Sequence, residues 1–286
     1  MPSPKPPLVT RGQLLNNPSK QAEVPPRFDW MQKTVHEDPR DIYELLAGTL
    51  GGELEPGRGL NGYHRSMAVK RAGETLARVL FGGPNGWPNV VTSGPATDDV
   101  APVMRGAWDR AEVTRMDSAS DFDSPGGYEA VRAILEAIHE RTGLTKYELS
   151  STKRGVTSAT YYLGAPSSRV RVRLYQKGRF ERQQGHAEAS ENWFRLEGQV
   201  RPTGADARRR ASTMDALEVW GFSPTLRELA RDVLGADVER VNPNLRRDPD
   251  YERALEALKR QYGATLEKLL AVEGSWDAVG HVLGVL

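Results

Sequence analysis

The segment Ser168–Arg201 concentrates groups that could act on a phosphate. Period-2 alternation in SRVRVRLYQK sets Val170, Val172 and Leu174 on one face of a strand and Arg169, Arg171, Arg173, Tyr175 and Lys177 on the other. In the second run, WFRLEGQVR, Phe194, Leu196 and Val200 alternate with Arg195, Glu197, Gln199 and Arg201. Like charges repeated along a face repel one another unless an anion lies on them. The face therefore reads as a phosphate-binding surface, the plain alternative being a solvated strand. Its one phenol, Tyr175, is a poor nucleophile at the ordinary tyrosine pKa of about 10. Lys177, expected on the same strand face, would favour the phenolate, and attack on a phosphodiester would give a covalent phosphotyrosine.

A second informative stretch, AEVTRMDSASDFD, places Val113, Arg115, Asp117, Ala119, Asp121 and Asp123 on one face if extended. Carboxylates at that spacing need cations, a metal or open water. Asp123 fits equally an acidic turn before SPGG. Asp117, Asp121 and Glu197 are the candidate oxygen ligands for Mg²⁺ or Mn²⁺, which bind few protein carboxylates and leave positions for water and phosphate. Arg115, Arg173, Lys177 and Arg195 are the candidate cations around them. The five histidines are scattered and form no triad with a serine.

These groups need a sheet to hold them. FDWMQKTV reads as a strand, and DPRDIYELLAGTL as a helix with Asp38 at its N-cap and Pro39 at its first position. Gly- and Asn-punctuated segments follow at hairpin intervals, then a helix at VAPVMRGAWDR and another at GGYEAVRAILEAIHERTG. STKRGVTSATYYLG supplies a further strand, with one of Tyr161 and Tyr162 facing inward. The Ser168–Arg201 segment itself reads as two strands joined by a polar connection. The expected fold class is α+β, a central antiparallel sheet with packed helices. Its expected organisation is a flexible Pro-rich arm at 1–26, a catalytic domain at 27–203 and a helical C-terminal region at 204–286.

Composition narrows the possibilities further. The chain of 286 residues has no cysteine, which excludes disulfides, a thiolate nucleophile and Cys-based zinc sites. No apolar run has the length of a membrane span, and the N-terminus lacks a signal-peptide core, so a cytoplasmic location is expected. Net charge is only +1, so a nucleic-acid site would be a local concentration of cations. The glycines after Glu55 lack the GKS or GKT of a phosphate loop and read as turns.

The order TRMDSASDFD, TYYLGAPSSRVRVRLYQKG and WFRLEGQVRP resembles the replication initiation factors of rolling-circle plasmids and filamentous phages, together with related conjugative relaxases. GLNGYHRSMAVKRAG and NVVTSG resemble the same family's N-terminal half. The resemblance covers roughly Phe28 to Pro202. It implies a relaxase-like or rolling-circle initiator-like fold and a strand-specific DNA endonuclease and ligase that nicks an origin through a 5′-phosphotyrosine. It makes Tyr175 the nucleophile, with Asp117 and Glu197 as the first metal ligands and Asp121 as the third. Tyr161 and Tyr162 remain substitutes for Tyr175. Arg115, Arg169, Arg171, Arg173 and Arg195 would bind DNA that is locally single-stranded, and a host helicase and a second copy of the chain are the implied partners. Gln176 stands where the family is expected to carry Asp or another acidic or amide residue, and Gly198 interrupts the apolar alternation. No His-hydrophobe-His pair is present, so carboxylates would have to hold the ion. A conjugative relaxase of the same chemistry and a DNA-binding regulator that does not nick are the rival readings.

Overall fold

The computed structural model describes residues 25–241 and 249–284. Ten strands, β1 (Arg27–Val35), β2 (Glu53–Arg58), β3 (Arg65–Arg71), β4 (Glu74–Phe81), β5 (Asn89–Ser93), β6 (Ala111–Asp123), β7 (Lys146–Lys153), β8 (Val156–Leu163), β9 (Val170–Tyr175) and β10 (Trp193–Val200), form one antiparallel sheet. Their order is β2-β3-β4-β5-β1-β6-β10-β9-β8-β7. Eight α-helices accompany them among the described residues: α1 (Pro39–Leu50), α2 (Thr97–Gly106), α3 (Gly127–Thr142), α4 (Lys177–Gln184), α5 (Ala205–Ala211), α6 (Pro224–Leu229), α7 (Pro249–Glu273) and α8 (Trp276–Val282). The fold is α+β, as the alternation predicts.

The sheet is built from two halves that follow the same path. In each, a long strand leads into a helix and then four strands, the last of which returns beside the first: β1, α1 and β2–β5, then β6, α3 and β7–β10. The halves meet where β1 pairs antiparallel with β6. In each half the helix after the first strand covers the apolar face. Helix α1 starts at Asp38, whose side chain accepts a hydrogen bond from the Arg40 amide at 2.8 Å, and stops at Gly51 in the left-handed region. It buries Ile42, Leu46 and Leu50 at four-residue spacing and packs on β3 and β4. Helix α3 buries Val131, Leu135 and Ile138 and packs on β8 and β9. Each such side chain stabilises the fold by roughly 1.5–3 kcal/mol.

Alternation sorts the central strands into two chemically opposite faces. Met31, Val79, Val90, Met116, Phe122, Phe194, Leu196, Val172 and Leu174 belong to the apolar core, with Phe122 and Phe194 stacked at 5.1 Å. Gly198 belongs to this core face. A Cβ there would lie 3.0 Å from Leu226 Cδ2, so the missing side chain makes room for Leu226 and Trp220. Trp220 Nε1 also donates to Ser118 Oγ at 2.8 Å.

These contacts carry the core past residue 204. The compact unit that contains the sheet runs on to Val241, because residues between Ala205 and Leu234 finish its core, and a second unit covers Asn242–Leu286, in which α7 and α8 pack together. The arm expected at 1–26 lies outside the described residues but for its last two. The expected polar connection between β9 and β10 contains helix α4, which ends at Gly185 (φ 111°). Only Phe180 interrupts its polar sequence, so it carries no apolar period to announce a helix. No helix among the described residues is long and apolar enough to cross a membrane.

Candidate active site

The face opposite the core carries the charged side chains, and Arg195 is their hub. Antiparallel register sets Arg195 directly across from Asp121 on β6 and from Tyr175 on β9. Its Nε and Nη2 donate to the two oxygens of Asp121, both at 2.7 Å, and its Nη1 donates to Asp29 Oδ1 at 2.6 Å. Trp193 Nε1 gives Asp121 a third hydrogen bond at 2.9 Å. One step along the strands, Glu197 lies opposite Arg173, which donates to it at 2.6 Å and reaches Asp29 at 3.9 Å. A bidentate guanidinium–carboxylate pair fixes orientation as well as charge.

Tyr175 ends β9 inside this network and is buried. Phe180 from α4 meets its ring edge-on at 6.4 Å, and the Arg173 guanidinium lies 4.8 Å from the ring centre. Burial pushes the phenol pKa above the ordinary tyrosine value, and the negative charge of Glu197 pushes the same way, while Arg195 and Arg173 oppose them. Burial likewise raises the pKa of Glu197 against the pull of Arg173. For Arg173 and Arg195 burial works against the charge, yet their partners carry both above the usual arginine value: Glu197 chiefly for Arg173, Tyr175 and Asp121 for Arg195. The positive charges are therefore permanent, and the proton on Tyr175 is held tightly.

The residues expected at the site divide in the structure. Tyr175, Arg173, Arg195, Glu197 and Asp121 come together. Asp117 stands apart, held by Arg115 at 3.0 and 2.5 Å and by the Gln199 amide at 3.1 Å. It lies four residues from Asp121 on the same strand, about 13 Å away at the rise of an extended chain, too far to share an ion with it. Among the described residues no three His, Asp or Glu side chains are grouped as a metal site. Lys177 is not on the strand face. It opens α4 and pairs with Glu181, four residues on, while its ammonium lies 5.4 Å from the Phe180 ring and 5.7 Å from that of Trp193. The cations that act on Tyr175 are instead the two arginines. Arg169 is exposed just before β9, and Arg171 lies on the charged face farther from Tyr175. Tyr161 faces the core, its pKa pushed up to about 12 by burial, whereas Tyr162 shares the charged face. Asp123 accepts from Ser190 Oγ at 2.7 Å and ties the loop after α4 to the end of β6. Gln176 works as a backbone clip, its side-chain oxygen accepting from the Ala159 amide at 3.0 Å where β9 turns into α4.

Asp29 is the residue that sequence reasoning missed. Strict alternation groups it with Met31 and Val35 on the core face. A register shift between Phe28 and Trp30 leaves Asp29 as the extra residue of a bulge, and bulges re-aim a side chain. Its carboxylate thereby reaches Arg195 and Arg173. No pattern in one strand's own sequence signals that event.

The register also shows why one half of the sheet holds this site. In the first half the same three-strand arrangement sets Asn89 on β5 across from Thr34 on β1 and Leu80 on β4. Asn89 donates to Thr34 Oγ1 at 3.1 Å, a neutral pair where the second half has an ionic one. The first half has the frame without the phenol and the ion pair.

Neither a protein-family model nor a curated protein matches the chain. Among solved structures, the chain is similar to the rolling circle replication initiator protein from Geobacillus stearothermophilus, with 21% sequence identity, a TM-score of 0.50, and coverage of 73% of this chain and 84% of that one. At that identity the likeness establishes a shared fold, that of an α+β protein with a large antiparallel sheet.

Proposed function

We propose that the protein is a tyrosine DNA nickase that initiates rolling-circle replication. The observation that carries the reading is the placement of Tyr175, a buried phenol beside Arg173 and across from Arg195 on the charged face of the sheet. The fold shared with the Geobacillus initiator supports it. A scissile phosphodiester laid across the two guanidiniums would present its phosphorus to the Tyr175 hydroxyl. The guanidiniums would stabilise the charge that builds on the phosphoryl oxygens during in-line attack. The P–O3′ bond breaks as the bond to Tyr175 forms, leaving a 5′-phosphotyrosine and a 3′ oxygen that takes up a proton. The reverse reaction rejoins the strand.

The phenol must lose its proton, and burial and Glu197 both oppose that loss. With no ion bound, Glu197 would receive the proton, its own pKa being raised by burial. For Mg²⁺ or Mn²⁺ the fitting donors are Asp29 and Glu197, which converge on the same Arg173 nitrogen at 3.9 and 2.6 Å. Asp121, the third ligand that the resemblance implies, has both oxygens engaged by Arg195, and among the described residues no third carboxylate groups with this pair. An ion bound there would polarise the phosphate as a Lewis acid and add positive charge beside the phenol. Single-stranded origin DNA, a host helicase and a second copy of the chain are the partners this reading calls for.

A regulator that binds DNA without nicking is the second reading. It is favoured by the carboxylates, all of which have guanidinium partners, and by the raised pKa of Tyr175. Incubation with supercoiled origin DNA and Mn²⁺, with and without EDTA, separates the two. Metal-dependent conversion to nicked circles supports the nickase. Binding with no nicking under any divalent ion supports the regulator.

A further inference from the structure

The charged face continues past Tyr175 to a cluster that the proposed chemistry does not use. Arg171 lies opposite Gln199 on β10, and the Arg201 amide donates to the Arg169 carbonyl at 2.7 Å where the two strands run on. The Arg171 guanidinium sits 3.9 Å from the ring centre of Tyr162 and 5.1 Å from that of Tyr147, and the two rings stack at 4.5 Å. Arg201 donates only to neutral oxygens, Gln199 Oε1 at 2.9 Å and the Ser168 carbonyl at 3.3 Å.

What sets these two arginines apart is the lack of a carboxylate. On the same face Arg115 has Asp117, Arg173 has Glu197 and Arg195 has Asp121. Arg171 and Arg201 form no ion pair among the described residues. Asp117 is near enough to act on both, but Arg115 occupies its two oxygens. Burial, followed by the neighbouring cations, Arg115 among them, lowers the pKa of each. Two half-buried cations, with Arg171 held over the Tyr162 and Tyr147 rings and repelled by its neighbour Arg201, form a preorganised receptor for an anion. Along β9, Arg171 stands four residues from Tyr175, about 13 Å, within reach of the same nucleic-acid strand.

We propose that Arg171 and Arg201, backed by the Tyr147–Tyr162 pair, form a backbone-anchoring subsite for single-stranded DNA flanking the nicked phosphate, gripping phosphates without reading bases. The proposal rests on the nickase reading for its substrate, yet its test is a binding measurement that needs no nicking. Anisotropy of labelled oligo-dT and oligo-dA is followed against salt from about 50 to 200 mM, where affinity falls with a slope of about 0.7 per phosphate neutralised on single strands. The proteins compared are wild type, Arg171→Gln, Arg201→Gln and, as a control, Arg40→Gln, whose arginine pairs with Glu44 on the exposed face of α1.

The expected result is that each of the first two substitutions lowers the slope by about 0.7, weakens dT and dA binding alike by several-fold, and leaves the slope of the Arg40 control at the wild-type value. Wild-type binding with unchanged slopes in Arg171→Gln and Arg201→Gln would overturn the subsite and leave the nickase reading standing. Failure of the wild type to bind single strands would overturn both. Should Arg171→Gln fold poorly in a thermal melt, Arg201→Gln, bonded only to neutral oxygens, carries the same test.

Discussion

Arg195 and Asp121 face each other across β10 and β6 and join through two parallel hydrogen bonds of 2.7 Å, while the third nitrogen of the same guanidinium holds Asp29. One buried cation thus ties the sheet's two central strands to the strand that bears it. Removing one partner of such a network leaves uncompensated buried charge, which costs more than the pair itself contributes.

Arg195→Met should therefore destabilise the domain by about 3–5 kcal/mol. Adding Asp121→Asn should recover part of that loss, because one stranded carboxylate is then gone. Urea unfolding of the single and double variants measures both. A single variant within about 0.5 kcal/mol of wild type would mean that solvent reaches the network freely.

Gly178, just after Lys177, gives a steric prediction. A Cβ there would lie 1.7 Å from the Ser190 carbonyl oxygen and 3.1 Å from Trp193 Cβ, and a backbone atom cannot step aside. Gly178→Ala should cost about 3 kcal/mol or more, at or above the upper end of ordinary overpacking, and loosen α4 over Tyr175. Gly263 in α7 meets nothing within 4 Å. Gly263→Ala should instead gain up to about 1 kcal/mol of helix stability in its own unit. Thermal melts read both changes.

Lys33 sets a pH dependence. Its ammonium is buried on the core side and donates to the Met104 carbonyl at 2.7 Å and the Ala107 carbonyl at 3.3 Å, which closes the end of α2. Burial lowers its pKa from 10.5 to about 8. Between those values the unfolded chain binds more protons than the native one, so this group's contribution to stability rises with pH across that window and is flat below it. The rise should be up to about 3 kcal/mol. Chemical denaturation from pH 7 to 10.5 should show it in wild type and not in Lys33→Met.

Tyr175 should be the last accessible signal in a spectrophotometric titration. With its pKa raised by burial and Glu197, the difference spectrum between wild type and Tyr175→Phe in EDTA should show no tyrosinate near pH 10, the ordinary tyrosine value of about 10. A full tyrosinate signal at that pH would show that the phenol is solvated, contrary to its buried position.

Much of this arrangement was legible in the sequence. Strict alternation in β6, β9 and β10 identified the charged face, and Tyr175, Arg195, Asp121 and Glu197 with it, because those strands pair regularly where the site lies. What escaped were departures from periodicity. A bulge turned Asp29 out of the core pattern, and the short polar helix α4 took Lys177 off the strand. Asp117 was legible as a face residue, but its partner Arg115, two residues away on its own strand, emerged only with rotamers in hand. Gly198 read as an interruption because the Leu226 that fills its place lies in a later helix, a distance no local pattern spans.

The central claim, that Tyr175 forms a covalent bond to a DNA 5′ phosphate, is tested most directly by trapping the adduct. The protein is incubated with a single-stranded origin oligonucleotide labelled on the 3′ side of the nick and Mn²⁺, then denatured and digested, and the labelled peptide is identified by mass spectrometry. Label is expected on the peptide containing Tyr175 and none in Tyr175→Phe. Label on Tyr161 or Tyr162, or an undiminished adduct in Tyr175→Phe, would contradict it.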